Sequence, residues 1–158
     1  MNHHYSYDIK IPPNLNLRES LIINKIIDTL NDPRGWVKFG YHFYYTPNKI
    51  TDFIITIVPN KIIKKICKFD GLSCADRSTN IIYLNLENWK KGSKKSKLSL
   101  DQYRCYQILH ECGHIIGKDH LKTQDFKSGT KAPIMIQQTL GIDNLKPNCY
   151  PTIYDFYA

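Results

Sequence analysis

The chain has 158 residues, 42% of them hydrophobic and 23% charged, which sets one globular domain as the default and excludes a disordered chain. No stretch approaches the roughly 20 apolar residues of a membrane span, and residues 1–15 scatter charges, prolines and polar groups where a signal peptide needs an apolar run. The +8 balance comes from 22 basic against 14 acidic residues, with 18 Lys to only 4 Arg; specific nucleic-acid readers lean on Arg, so nucleic acid is an unlikely partner and the skew reads as an AT-rich genome.

In chain order, residues 1–15 read as a loose N-terminus. Asn16 with Glu19 three residues on resembles a capping box, and Ile22, Ile23, Ile26, Ile27 and Leu30 recur at helical spacing. The spacing predicts a helix over 17–30, ended by the turn signal Asn31-Asp32-Pro33-Arg34-Gly35. Aromatic and β-branched runs predict strands at 36–45, 53–58 and 80–84, and residues 62–68 are ambiguous between helix and strand. Lysines 90, 91, 94, 95 and 97 crowd a stretch that reads as a solvated loop. A second helix opens near Ser99 or Asp101 and runs to about Ile116, and the last 40 or so residues show few regular signals.

There are five cysteines, an odd number, and no C-x-x-C. Cys67 and Cys74 are close enough in sequence to bridge, which would contribute about 2.5 kcal/mol in the chain-entropy model; two reduced thiols are the other reading. Cys105 and Cys112 read as core residues.

The chemistry lies in His110-Glu111-Cys112-Gly113-His114-Ile115-Ile116-Gly117-Lys118-Asp119-His120, an H-E-x-x-H-x-x-G-x-x-H string. At 100° per residue, His110 and His114 sit about 40° apart on one helix face, about 6 Å apart along the axis. Two imidazoles so placed can grip one metal, and Gly117 can take the left-handed conformation that ends the helix and swings His120 back as a third ligand. Three neutral imidazoles suit one Zn2+ and leave a position for water. Glu111, one of only three Glu in the chain, can then act as general base. Gly113 inside a helix costs about 1 kcal/mol relative to Ala, which implies a close approach to that face.

This extended motif resembles that of the metzincin clan of zinc peptidases, which place a methionine turn beneath the metal; Ala132-Pro133-Ile134-Met135 supplies one, with Met135 as the Met-turn residue. The chain also resembles a bacterial family of exported proteins with a domain of unknown function and a predicted metzincin core. The likeness is carried by Asp32-Pro33-Arg34-Gly35-Trp36, Ser73-Cys74, Asn85-Leu86 with Trp89, Tyr103-Arg104, the zinc motif, Ala132-Pro133-x-Met135-x-Gln137-Gln138-Thr139, Asn148 and Pro151. It implies an α+β, metzincin-like (zincin) fold: one catalytic domain over 1–158, with a twisted mixed sheet, a backing helix and an active-site helix over about 16–117. A small irregular subdomain with the Met-turn follows over 118–158. It implies a zinc-dependent endopeptidase acting on a peptide or protein, which pairs with an exposed edge strand, here the strand around 80–84. It also implies a Cys67–Cys74 disulfide. The exported relatives carry a signal or lipid anchor, which this sequence lacks, so the compartment stays unassigned. Where some metzincins place a Tyr two residues after the Met, this chain has Gln137, a candidate oxyanion or substrate donor beside Tyr150 and Tyr154. Asp8 is a candidate switch ligand if residues 1–15 act as a pro-segment. The competing readings are a catalytically inactive, zinc-stabilised module that binds a protein or peptide, and a polyanion binder resting on charge alone.

Overall fold

A computed structural model describes residues 1–158. Five strands form one sheet in the order β2-β1-β3-β5-β4, where β1 is His3–Lys10, β2 Tyr41–Tyr45, β3 Phe53–Val58, β4 Cys74–Asp76 and β5 Ile81–Asn85. The first four in spatial order are parallel and β4 runs antiparallel to β5 at one edge. The fold is therefore α+β with a mixed sheet.

The N-terminus corrects the sequence reading. Residues 3–10 are not loose but form an interior strand, with β2 on one side and β3 on the other. Tyr7 and Ile9 point into the core from one face, while Asp8 is buried on the other, accepting from the Ile9 and Asn48 amides at 2.7 and 3.1 Å. Asp8 is thus committed to the sheet and is no switch ligand, and the larger subdomain starts at the first strand rather than near residue 16. The β2–β3 connection is short for parallel strands because they are staggered: Tyr7 is opposite both the last residue of β2 and the first of β3.

Helix α1 (Glu19–Asn31) presents Ile22, Ile26 and Leu30 to the sheet at intervals of four. It starts two residues later than the pattern suggested, and Asn16 takes a left-handed turn instead of capping it. The expected strand over 36–45 is split. Trp36–Phe39 winds as a 3-10 turn that buries Trp36, and left-handed Gly40 releases the chain into β2. Residues 60–67 settle as helix α2 (Asn60–Cys67), which packs Ile63 against Val58 on the other sheet face. A disulfide joins Cys67 to Cys74 and ties α2 to the edge strand. Helix α3 (Leu86–Lys91) is capped by Asn85, and the lysine-rich stretch after it is pinned by hydrogen bonds from Ser93 and Ser96 to backbone carbonyls.

Helix α4 (Leu100–Ile115) opens with a Ser99–Gln102 capping box and crosses the core beside α1. Cys105 and Cys112 are buried in that core, as expected. Beyond α4 only one further short helix occurs, α5 (Ile153–Phe156). No helix is long and apolar enough to cross a membrane.

Candidate metal centre

Helix α4 carries His110 and His114 on one face, and its end shapes the rest. The Gly117 and Lys118 amides donate back to the carbonyls of His114 and Gly113, and Gly117 sits at φ +98°. A side chain is strained in that conformation, so glycine is what lets the chain turn. His120 then returns to the other two, with ring centroids 5.2 Å from His110 and 4.6 Å from His114. One ligand nitrogen from each of the three rings lies within 4.8 Å of the others.

The outer nitrogens of the helical pair are committed. His110 Nδ1 lies 2.6 Å from the Ile134 carbonyl and His114 Nδ1 lies 2.9 Å from that of Lys118. A carbonyl only accepts, so each Nδ1 carries the proton and each Nε2 presents a lone pair inward. His110 Nε2 is buried with no hydrogen-bond partner, and the Nε2 atoms of His114 and His120 face each other at 3.0 Å. Converging imidazole nitrogens with an orphan among them could hold a metal ion. The electrostatics agree. Burial, then the neighbouring His114, holds His110 well below the ordinary imidazole range; burial, then His120, pushes His114 down to about 4. Burial also lowers His120, with Arg77 adding to it. Neutral imidazole is the ligating form.

Glu111 is buried beside these rings, and burial alone pushes its carboxyl up to about 8. It lines an open cleft of about 190 Å³ together with His114, His120, Gln137 and Arg77. The opposite wall is Phe69, Ser73, Cys74 and Ala75, so the wall includes β4. This corrects the expected edge strand: β5 lies between β3 and β4, and the strand with a free side at the cleft is β4. Its three residues carry no strand-like pattern, which is why the sequence reading passed over it.

Met135 is fully buried against the Gly113 face of α4. A Cβ on Gly113 would collide with its Sδ and crowd the Trp36 ring, which explains glycine inside this helix. The turn around Met135 is held by Asp155, a buried carboxylate that accepts from the amides of Ile134 and Met135, both at 2.8 Å. The peptide between Ile134 and Met135 thus donates to Asp155 at one end and accepts from His110 at the other. Thr152 and Asp155 also form the capping box of α5. That S/T-x-x-D/E spacing was the one local hint of Asp155, and Arg77 had none.

Of the candidate donors, Gln137 is in the cleft and Tyr150 and Tyr154 are not. The Tyr150 ring lies under the Arg34 guanidinium, 4.4 Å away, and Tyr154 packs edge-on against Phe126. Tyr150 and Tyr154 were alternatives to Gln137 that spacing alone could not separate. The intervening chain carries Tyr150 to the Arg34 side of α4.

An α+β chain with a three-histidine cluster able to hold a metal ion is the class that fold and site define. The chain belongs to the family described as Protein of unknown function (DUF3152), whose model matches residues 1–150. No curated protein matches it.

Proposed function

We propose that the protein is a zinc-dependent endopeptidase of the metzincin type. The observation that supports this most is the meeting of three inward-facing imidazole nitrogens with one buried carboxylate, Glu111, at the floor of an open cleft. His110, His114 and His120 hold the metal. Held by these three residues, zinc would supply Lewis acidity to the scissile carbonyl and to the attacking water. Glu111 takes the proton from the attacking water and passes it to the leaving amine. Its burial suits that exchange, because a carboxyl raised toward neutral pH both accepts and returns a proton; a neighbouring cation draws its pKa back down.

The substrate lies extended along β4, pairing with its free side. Gln137 offers its amide N–H to the oxyanion that develops as the carbonyl is attacked. Beyond His120 a second hollow of about 350 Å³, lined in part by Lys122, Thr123, Leu140 and Asp143, receives the side chain on the leaving-group side.

Peptide-library cleavage by zinc-loaded protein, read by mass spectrometry, tests the reading with Glu111→Gln alongside. Wild type is expected to cut, and the variant to bind zinc and lose about 10²–10⁴-fold in rate. Undiminished turnover in the variant overturns the mechanism. Zinc binding by both with cleavage by neither assigns the cleft to holding a peptide rather than cutting it.

A further inference from the structure

One side chain joins the edge strand to the turn that carries the metal ligands. Arg77 directly follows β4, and its guanidinium reaches across the cleft wall to the end of α4. Its Nε donates to the His114 carbonyl at 3.0 Å and its Nη2 to the Lys118 carbonyl at 2.6 Å. Nη1 and Nη2 each lie 3.1 Å from Asp119 Oδ1.

The Lys118 carbonyl is the informative acceptor. It also accepts a hydrogen bond from His114 Nδ1–H, and a carbonyl oxygen has lone pairs for both. The oxygen that sets the tautomer and tilt of the second ligand ring is therefore itself held by Arg77. The last carbonyls of a helix have no partner within it, and a cation there is also favoured by the helix dipole. From Gly117 to His120 no regular structure holds the chain.

We propose that Arg77 is a positioning residue for the metal: by gripping the His114 and Lys118 carbonyls it holds the ligand turn in the conformation that brings His114 and His120 together. The inference rests on the histidines binding zinc, not on peptide hydrolysis. A simple surface ion pair with Asp119 is the competing account, and it predicts little, because both side chains are substantially exposed, 49% and 78%. The clamp needs the planar, multi-donor fork of arginine, which lysine cannot reproduce.

Zinc dissociation constants by chelator competition at near-neutral pH decide between them, measured on wild type, Arg77→Ala, Arg77→Lys and Asp119→Asn, with thermal midpoints of the metal-free proteins. Both Arg77 variants are expected to bind zinc about 10–100-fold more weakly, the usual effect of losing an outer partner of a ligand. Their metal-free midpoints should stay close to wild type, since the side chain is half exposed. Asp119→Asn should cost less than about fivefold. Affinity within about twofold of wild type in Arg77→Ala, full affinity in Arg77→Lys, or the whole loss reproduced by Asp119→Asn each overturns the clamp. A wild type that binds no zinc overturns it together with the zinc reading. A wild type that binds zinc without cleaving peptides counts against the peptidase alone.

Discussion

The chain on the two sides of Gly117 solves the same problem in different ways. Before it, backbone groups satisfy one another in five strands and four helices. After it, backbone pairing is reduced to turns, two isolated bridges and one short helix, and three side chains satisfy several of the groups left over. Asp155 accepts from the Ile134, Met135 and Thr152 amides. Gln138 donates to the Pro133 and Asn148 carbonyls, and Asn148 to those of Ala132 and Tyr150. Buried backbone polar groups must be paired one way or another. Where repetition is lost, pairing leans more on a few residues, and single substitutions there reach the histidine cluster directly.

Trp36→Ala and Asp155→Ala set the two regions against each other. Trp36 is fully buried, and its indole N–H donates to the Leu109 carbonyl at 2.9 Å. Its removal should cost about 3–5 kcal/mol in a single urea transition. Asp155→Ala strands the Ile134 and Met135 amides at about 1–3 kcal/mol each. Its loss should be local: hydrogen exchange speeds up over 130–156 while β1 and β3 stay protected. Equal deprotection throughout would show that the two regions open as one unit.

Gly113→Ala probes the seam between them. Alanine gains about 1 kcal/mol of helix propensity, but its methyl collides with Met135 and crowds Trp36, and overpacking of this kind costs about 1–3 kcal/mol. A net loss of stability on thermal melting is expected. A gain would show that Met135 moves aside freely.

The smallest effect is a slope with pH. Between about pH 5.5 and 7 in the metal-free protein, Glu111 stays largely protonated when folded and is largely ionised when unfolded. The unfolded chain binds fewer protons, so stability falls as pH rises, by up to about 1.4 kcal/mol per pH unit. The difference between wild type and Glu111→Gln in the presence of chelator isolates this slope. Parallel curves would show that Glu111 is ionised in the fold.

The candidate site was legible to the extent that it is local. His110, Glu111 and His114 share a helix whose Ser99 cap and apolar spacing are readable in order, and Gly117 marks its end. The Met-turn was placed by resemblance, and the collision that Gly113 avoids confirms the close approach inferred from a costly glycine. The N-terminal strand was missed although Tyr5, Tyr7 and Ile9 alternate with Ser6, Asp8 and Lys10. Two tyrosines, an aspartate and the prolines that follow made that period-2 pattern read as polar chain. Its burial comes from neighbours on both sides, one of them Phe53, 46 residues further along the chain.

By itself, then, the sequence determined the ligand helix, its cap, its glycine turn and the identity of the three imidazoles, since these depend on helical geometry within about twenty residues. Only the tertiary structure decided that β4 rather than β5 borders the cleft, that Gln137 faces it while Tyr150 does not, that Asp155 accepts from the Ile134 and Met135 amides behind His110, and that Arg77 donates to the Lys118 carbonyl behind His114. Those partners lie 20 or more residues from the groups they hold. No local periodicity encodes a hydrogen bond across such a distance; it exists only once the sheet and α4 have packed.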